Sequence, residues 1–159
     1  MKVEDIISYY DLKPHLEGGF YKEVYRSDGL FPSDGVFPDG RNFSTSIYYL
    51  LPKGAVSKLH MICSDEVFHL YSGGPLTIIE IDNNGVLEKH TLGTDINSGQ
   101  TFQHVVKAGS WFGAYPEAEY AFVGCTVAPG FDFRDFKIAD RSELLKLYPK
   151  HENIIKKLT

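Results

Sequence analysis

The chain has 159 residues, 43% hydrophobic and 14% aromatic, without a break in composition, which fits a single domain over 1–159 with a substantial core. Its 16 basic and 21 acidic residues give a net charge of -5, so it carries no positive footprint for nucleic acid or anionic lipid, and neither is an expected partner. No apolar run approaches the length of a membrane span, and the amino terminus, Met1 to Ile7, is acidic too early and apolar too briefly for a signal peptide. The expected location is the cytoplasm.

Residues 3–12 place Val3, Ile6, Ile7 and Tyr10 at the spacing of a short amphipathic helix, which Pro14 is expected to end. After the Glu17-Gly18-Gly19 turn, Phe20 to Tyr25 has the β-propensity of a strand. Residues 28–40 hold Gly29, Pro32, Gly35, Pro38 and Gly40, and read as a long loop of the kind that flanks pocket mouths. Five further runs, Ser44–Leu51, Val67–Tyr71, Leu76–Ile81, Phe102–Val106 and Tyr120–Val127, are rich in β-formers and punctuated by Gly, Pro or Asn. Short strands without interleaved helices predict an all-β antiparallel sandwich or small barrel. The tail turns helical at Ser142–Tyr148, is stopped by Pro149, and has one more apolar turn at Ile154, Ile155 and Leu158.

The two cysteines, Cys63 and Cys125, are too few for a disulfide framework and are expected to be free thiols. Between Gly54 and Gly73, His60 and Glu66 flank a short turn. Strands joined in that way can aim an imidazole and a carboxylate into one cavity, because same-face residues recur at every second position.

That stretch resembles the first signature of the cupin superfamily, with Ile62 where the second histidine of a His-x-His pair would stand. The second signature resembles Val105 to Ala114, with Lys107 for its proline and Phe112 for its histidine. A narrower resemblance, to a cupin-like domain of unknown function, is carried by Leu12–Tyr21, Arg41 with Ser44–Leu51, Ser57–Tyr71, Gln103–Ala114 and Val123–Phe133. It implies a double-stranded β-helix, the cupin jelly roll, here with short helices at both termini. It also implies a homodimer and a structural likeness to sugar-nucleotide epimerases, but no particular reaction.

Cupins that hold a divalent metal use both histidines, the glutamate and a further histidine. With two of those four missing, His60 and Glu66 would make a weak site that needs His69 or His104 to complete it, so the expected cofactor is none or a weakly held divalent metal. Strand parity opposes His69, since Glu66, Phe68 and Leu70 share one face unless a bulge intervenes. Of the neighbours Gln103 and His104 only one can face inward, and Gln103 fits the family string better. Ser57, Lys58, Tyr48 and Trp111 are candidate cavity residues, with Tyr48 a general acid and Trp111 a stacking wall. Arg41, like Arg26, is a candidate ion-pair partner of Glu66.

Together these residues lead to a small-molecule-binding cupin, in one version an isomerase or epimerase acting on a carbohydrate-like substrate. In it His60 removes a proton next to a carbonyl, Glu66 sets the imidazole tautomer and Tyr48 returns the proton, with Ser57, Gln103, Trp111, Arg41 and Phe112 around the ligand. One alternative is a ligand-binding or sensing module without turnover. The other is a metal-dependent dioxygenase or decarboxylase with an atypical ligand set.

Overall fold

The computed structural model describes residues 2–159; Met1, the first residue of the segment read against a signal peptide, lies outside them. Thirteen strands form the body. In chain order they are β1 (Lys13–Pro14), β2 (Phe20–Arg26), β3 (Leu30–Phe31), β4 (Arg41–Asn42), β5 (Thr45–Pro52), β6 (Ser57–Met61) and β7 (Asp65–Gly73), then β8 (Leu76–Ile81), β9 (Leu87–Leu92), β10 (Gln103–Val106), β11 (Trp111–Pro116), β12 (Tyr120–Ala128) and β13 (Lys137–Ile138). One sheet has the order β1-β2-β5-β12-β7-β10 and faces a second of order β13-β6-β11-β8-β9, while β3 and β4 pair alone. All the pairings within these sheets are antiparallel, giving an all-β jelly roll with short helices at both ends.

The helices cover the outer faces of the sheets. α1 (Val3–Tyr10) lays Ile6 on Leu50 and Phe122 of the six-stranded sheet. α2 (Arg141–Leu147) and α3 (Glu152–Lys157) bring Leu144, Ile155 and Leu158 onto Leu59, Ile79, Ile81 and Trp111 of the other. That is why every residue of β8 is buried: Leu76, Ile78 and Glu80 point between the sheets, and Thr77, Ile79 and Ile81 point toward the opposite, covered face. Each leucine or isoleucine side chain so taken out of water contributes roughly 1.5–3 kcal/mol. Between the sheets, Tyr49, Phe68, Ile78, Leu92, Val106, Phe112 and Val123 form the central core.

Some boundaries differ from those read off the sequence. α1 ends before Pro14, at Asp11, whose left-handed backbone caps it, and Lys13–Pro14 then begin a strand. The N-cap of α2 is Asp140, accepting from the Glu143 N–H, which adds Arg141 to the helix. β1, β3, β4, β9, β11 and β13 were absent from the predicted strands: β1, β3, β4 and β13 are two residues each, β3 lying within the segment read as a loop, Glu88, Lys89 and His90 give β9 a polar edge, and Gly113 and Pro116 disguise β11 as a turn. Among the described residues no helix is long and apolar enough to cross a membrane.

Candidate functional site

The β1–β2 turn is shaped to bury a carboxylate. Gly18 has φ +117°, and a Cβ there would collide with the Val56 carbonyl, so only glycine lets the turn dock this closely. The Lys58 N–H donates to the Glu17 carbonyl at 2.8 Å, and Tyr49 Oη donates to the Gly18 carbonyl at 2.9 Å. Held from both sides, the turn carries Glu17 down against β6 of the opposite sheet.

There Glu17 Oε2 lies 3.1 Å from His60 Nε2, and Ser57 Oγ donates to Glu17 Oε1 at 3.0 Å. His60 Nδ1 lies 2.7 Å from the Lys58 carbonyl. A carbonyl can only accept, so Nδ1 carries a hydrogen, and Nε2 is the ring nitrogen left facing the Glu17 carboxylate. His15 borders the same carboxylate, its Nδ1 3.6 Å from Oε2 and accepting from the Glu17 N–H at 3.3 Å. Burial pushes the His15 imidazole below its ordinary range, against the pull of the Glu17 charge.

These groups open on a cavity of about 280 Å³ between the sheets. Glu66 lines it from β7, 8% exposed. Burial, and secondarily the charge of Glu17, raise its carboxyl to about 8, while the neighbouring Cys125 pulls the other way. At neutral pH Glu66 is therefore a carboxylic acid. Cys125 is pushed up by burial and by the Glu66 charge, and stays a thiol. Phe131, Phe133 and Phe136 form an aromatic rim. Glu23 and Arg26 pair at the mouth, with Nη2 to Oε2 at 2.7 Å. Three positions apart, they share a face because a bulge between Glu23 and Tyr25 resets the parity of β2.

Several residues read from the sequence as site candidates lie elsewhere. Tyr48 points to the outer face of its sheet, packed on Tyr10 and Phe122. Trp111 belongs to the cluster beneath α2 and α3. Phe112 packs as core against His60, the rings 4.0 Å apart, and is 1% exposed. Arg41 forks onto Asp135 at 2.6 and 2.5 Å and leaves Glu66 alone, as does Arg26. Gln103 lies on the outer face at the sheet edge, bonded to His69 Nδ1 at 2.8 Å, and His69 also meets Thr126 there. The bulge that might have turned His69 inward comes later in β7, beyond Leu70. It is His104 that faces inward, at the far flank beside Glu80. Ser57 backs Glu17 and does not line the cavity. Cys63 opens on a separate depression with Arg41 and Asp135. Glu66 makes no contact with His60 that could set its tautomer; the Lys58 carbonyl does that. His15 and Glu17 escaped sequence reasoning, and the paired glycines after Glu17 were the signal of a turn closely docked.

Comparison with known proteins decides the family. Residues 4–139 match the family model described as Cupin superfamily (DUF985). The chain belongs to that family. It is similar to a hypothetical protein from Leishmania major, with 34% identity, TM-score 0.93 and coverage of 100% of this chain and 99% of that one. Protein SO0799 from Shewanella oneidensis is similar at 36% identity and TM-score 0.92, over 100% and 98% of the two chains. The uncharacterized protein YML079W of Saccharomyces cerevisiae is 28% identical over 91% of this chain and 78% of its own. Oxalate decarboxylase from Bacillus subtilis shares the fold, at 17% identity and TM-score 0.60, over 95% of this chain and 38% of that one.

The cavity does not fit the cupin metal pattern. Ile62 and Phe112 present carbon where two imidazoles would stand, both His60 nitrogens face oxygens of the protein, and Glu66 holds its proton.

Proposed function

We propose that the cavity binds a small polar molecule bearing a carbonyl and moves protons on it, as an isomerase or epimerase of a carbohydrate-like substrate does. The observation that carries this reading is the Glu17–His60 pair at 3.1 Å facing the same cavity as a protonated Glu66. A proton acceptor and a proton donor held apart in one enclosed space are what transfer next to a carbonyl needs. Glu17, beside His60, takes a proton from the carbon beside the carbonyl. Glu66 gives its own proton to the opposite face of the carbon, and exchange with solvent then returns the proton from Glu17 and restores Glu66; or Glu66 gives it to the carbonyl oxygen, and the enediol so formed takes the Glu17 proton at the former carbonyl carbon and returns its other hydroxyl proton to Glu66. The flat faces of Phe131, Phe133 and Phe136 suit a sugar-like ring.

The test is hydrogen exchange at the carbon next to the carbonyl, followed by NMR in deuterium oxide over a panel of small aldoses and ketoses. Exchange above the buffer rate that is lost in Glu17→Gln and in Glu66→Gln supports the reading; binding without exchange replaces it with a ligand-binding module. That second reading draws on His60, whose Nδ1 is held by the Lys58 carbonyl and whose Nε2 lies against Glu17.

The same proposal includes a second copy of the chain as partner. β2 pairs with β1 only at Phe20 and Tyr21, and beyond that its outer edge carries exposed Val24 and Tyr25. An open apolar strand edge of this kind is what a symmetric dimer covers.

A further inference from the structure

At the flank opposite the cavity, the two sheets meet along β9 and β10, bridged between Leu92 and Thr101. Inward residues of both edges converge there with one from β8. Glu80 of β8 is 8% exposed; His104 of β10 brings Nε2 to 3.4 Å from its Oε2; and His90 of β9 stacks on His104 with ring centres 3.7 Å apart. A donor atom from each of the three lies within 4.8 Å of the others, the one such group of three His, Cys, Asp or Glu side chains among the described residues. It is separate from the cavity: in the register of the five-stranded sheet Phe112 stands between His60 and Glu80.

One feature above all points to a cation. His90 Nε2 is buried without a hydrogen-bond partner. Glu88 Oε2 lies 3.3 Å from it, but off the direction in which a ring nitrogen bonds, so the contact leaves the nitrogen unsatisfied. Glu80 accepts from the Lys107 N–H at Oε1, 3.3 Å, and turns Oε2 toward His104.

We propose that Glu80, His90 and His104 form a divalent-metal site of the zinc type, completed by water, that clips the two sheets together along their shared edge. Two imidazoles, one carboxylate and one water are a normal shell for zinc, with bonds of about 2.0–2.2 Å and neighbouring ligand atoms about 3.3 Å apart. Rotation of His90 and His104 out of their stack would turn both ring nitrogens toward one ion and bring the three donors to that spacing. The ion occupies His90 Nε2, takes the place of the His104–Glu80 hydrogen bond and joins β9 of one sheet to β10 of the other. A cation bound only to the folded state raises its melting temperature.

The experiment uses chelator-stripped full-length protein, titrated with Zn2+ by calorimetry and with Co2+ by visible absorption, in wild type, His90→Asn, His104→Gln and His60→Ala. The expected result is one equivalent of Zn2+, a Co2+ spectrum of four-coordinate intensity and a metal-dependent rise in Tm. All three are retained in His60→Ala, whereas affinity falls at least tenfold in His90→Asn and in His104→Gln. Circular dichroism checks that each variant is folded, and the two substitutions stand in for one another should either fail. No Zn2+ binding at tens of micromolar, binding unchanged in both edge variants, or binding lost only in His60→Ala would each overturn the site.

Discussion

Glu17 Oε2 and His60 Nε2 meet 3.1 Å apart, one from a turn of the six-stranded sheet and the other from the second strand of the five-stranded sheet. The pair is at once a tie between the sheets and the polar floor of the cavity, so its removal has consequences for both stability and binding.

His60→Ala and Glu17→Gln are each expected to cost roughly 1–3 kcal/mol, since each leaves a buried group without its partner. The double variant should lose less than the sum, with a coupling of roughly 0.5–3 kcal/mol for groups in contact. Urea unfolding of the four proteins measures this; strict additivity would mean that the contact carries no energy.

Glu66 gives stability a definite slope with pH. Its carboxyl is raised from 4.5 to about 8 in the folded chain, so between those values the folded state holds a proton that the unfolded state has released. Its contribution is fully present below the unfolded value of 4.5 and is lost as pH rises toward 8, on the order of 1 kcal/mol per pH unit. Glu66→Gln should flatten that part of the profile and be the more stable protein at pH 8. Urea midpoints from pH 5 to 8 check it, and identical profiles for the two proteins would contradict the assignment.

Gly18→Ala should destabilise by at least 1–3 kcal/mol, because the left-handed backbone and the Val56 carbonyl both refuse a Cβ. Since the turn holds Glu17 in place, the same substitution should weaken whatever small molecule the cavity binds. Thermal melts with and without that ligand separate the two effects.

Light scattering at micromolar concentration should give twice the 17.9 kDa of a single chain. A charged pair at the exposed β2 positions, Val24→Lys with Tyr25→Glu, should shift the mass toward that of one chain. A wild-type protein already at 17.9 kDa would contradict the proposed dimer.

Much of the fold was legible because it rests on local signals: turn residues between β-forming runs, and helical spacing at the ends. The cavity was legible only in part. His60 and Glu66 sit within one hairpin, where strand parity can be followed residue by residue. Glu17 reaches His60 through a turn distant in sequence, and no periodicity connects them. Parity also constrained Gln103 and His104 to opposite faces, but which one points inward depends on the pairing of β10 with β7, which sets His104 opposite Phe68. Tyr48 misled for a similar reason: on β5 both faces are covered, so an apolar run does not reveal which alternate residues look into the cavity.

The measurement that bears most directly on the cavity is the nitrogen-15 NMR spectrum of the His60 ring, recorded in wild type and in Glu17→Gln across neutral pH. The geometry requires a proton on Nδ1, held by the Lys58 carbonyl, and sets Nε2 against the Glu17 carboxylate, so the Nε2 signal should move on substitution of Glu17. A ring protonated only on Nε2, or an Nε2 signal indifferent to Glu17→Gln, would contradict the Glu17–His60 pairing and with it the acid–base reading of the cavity.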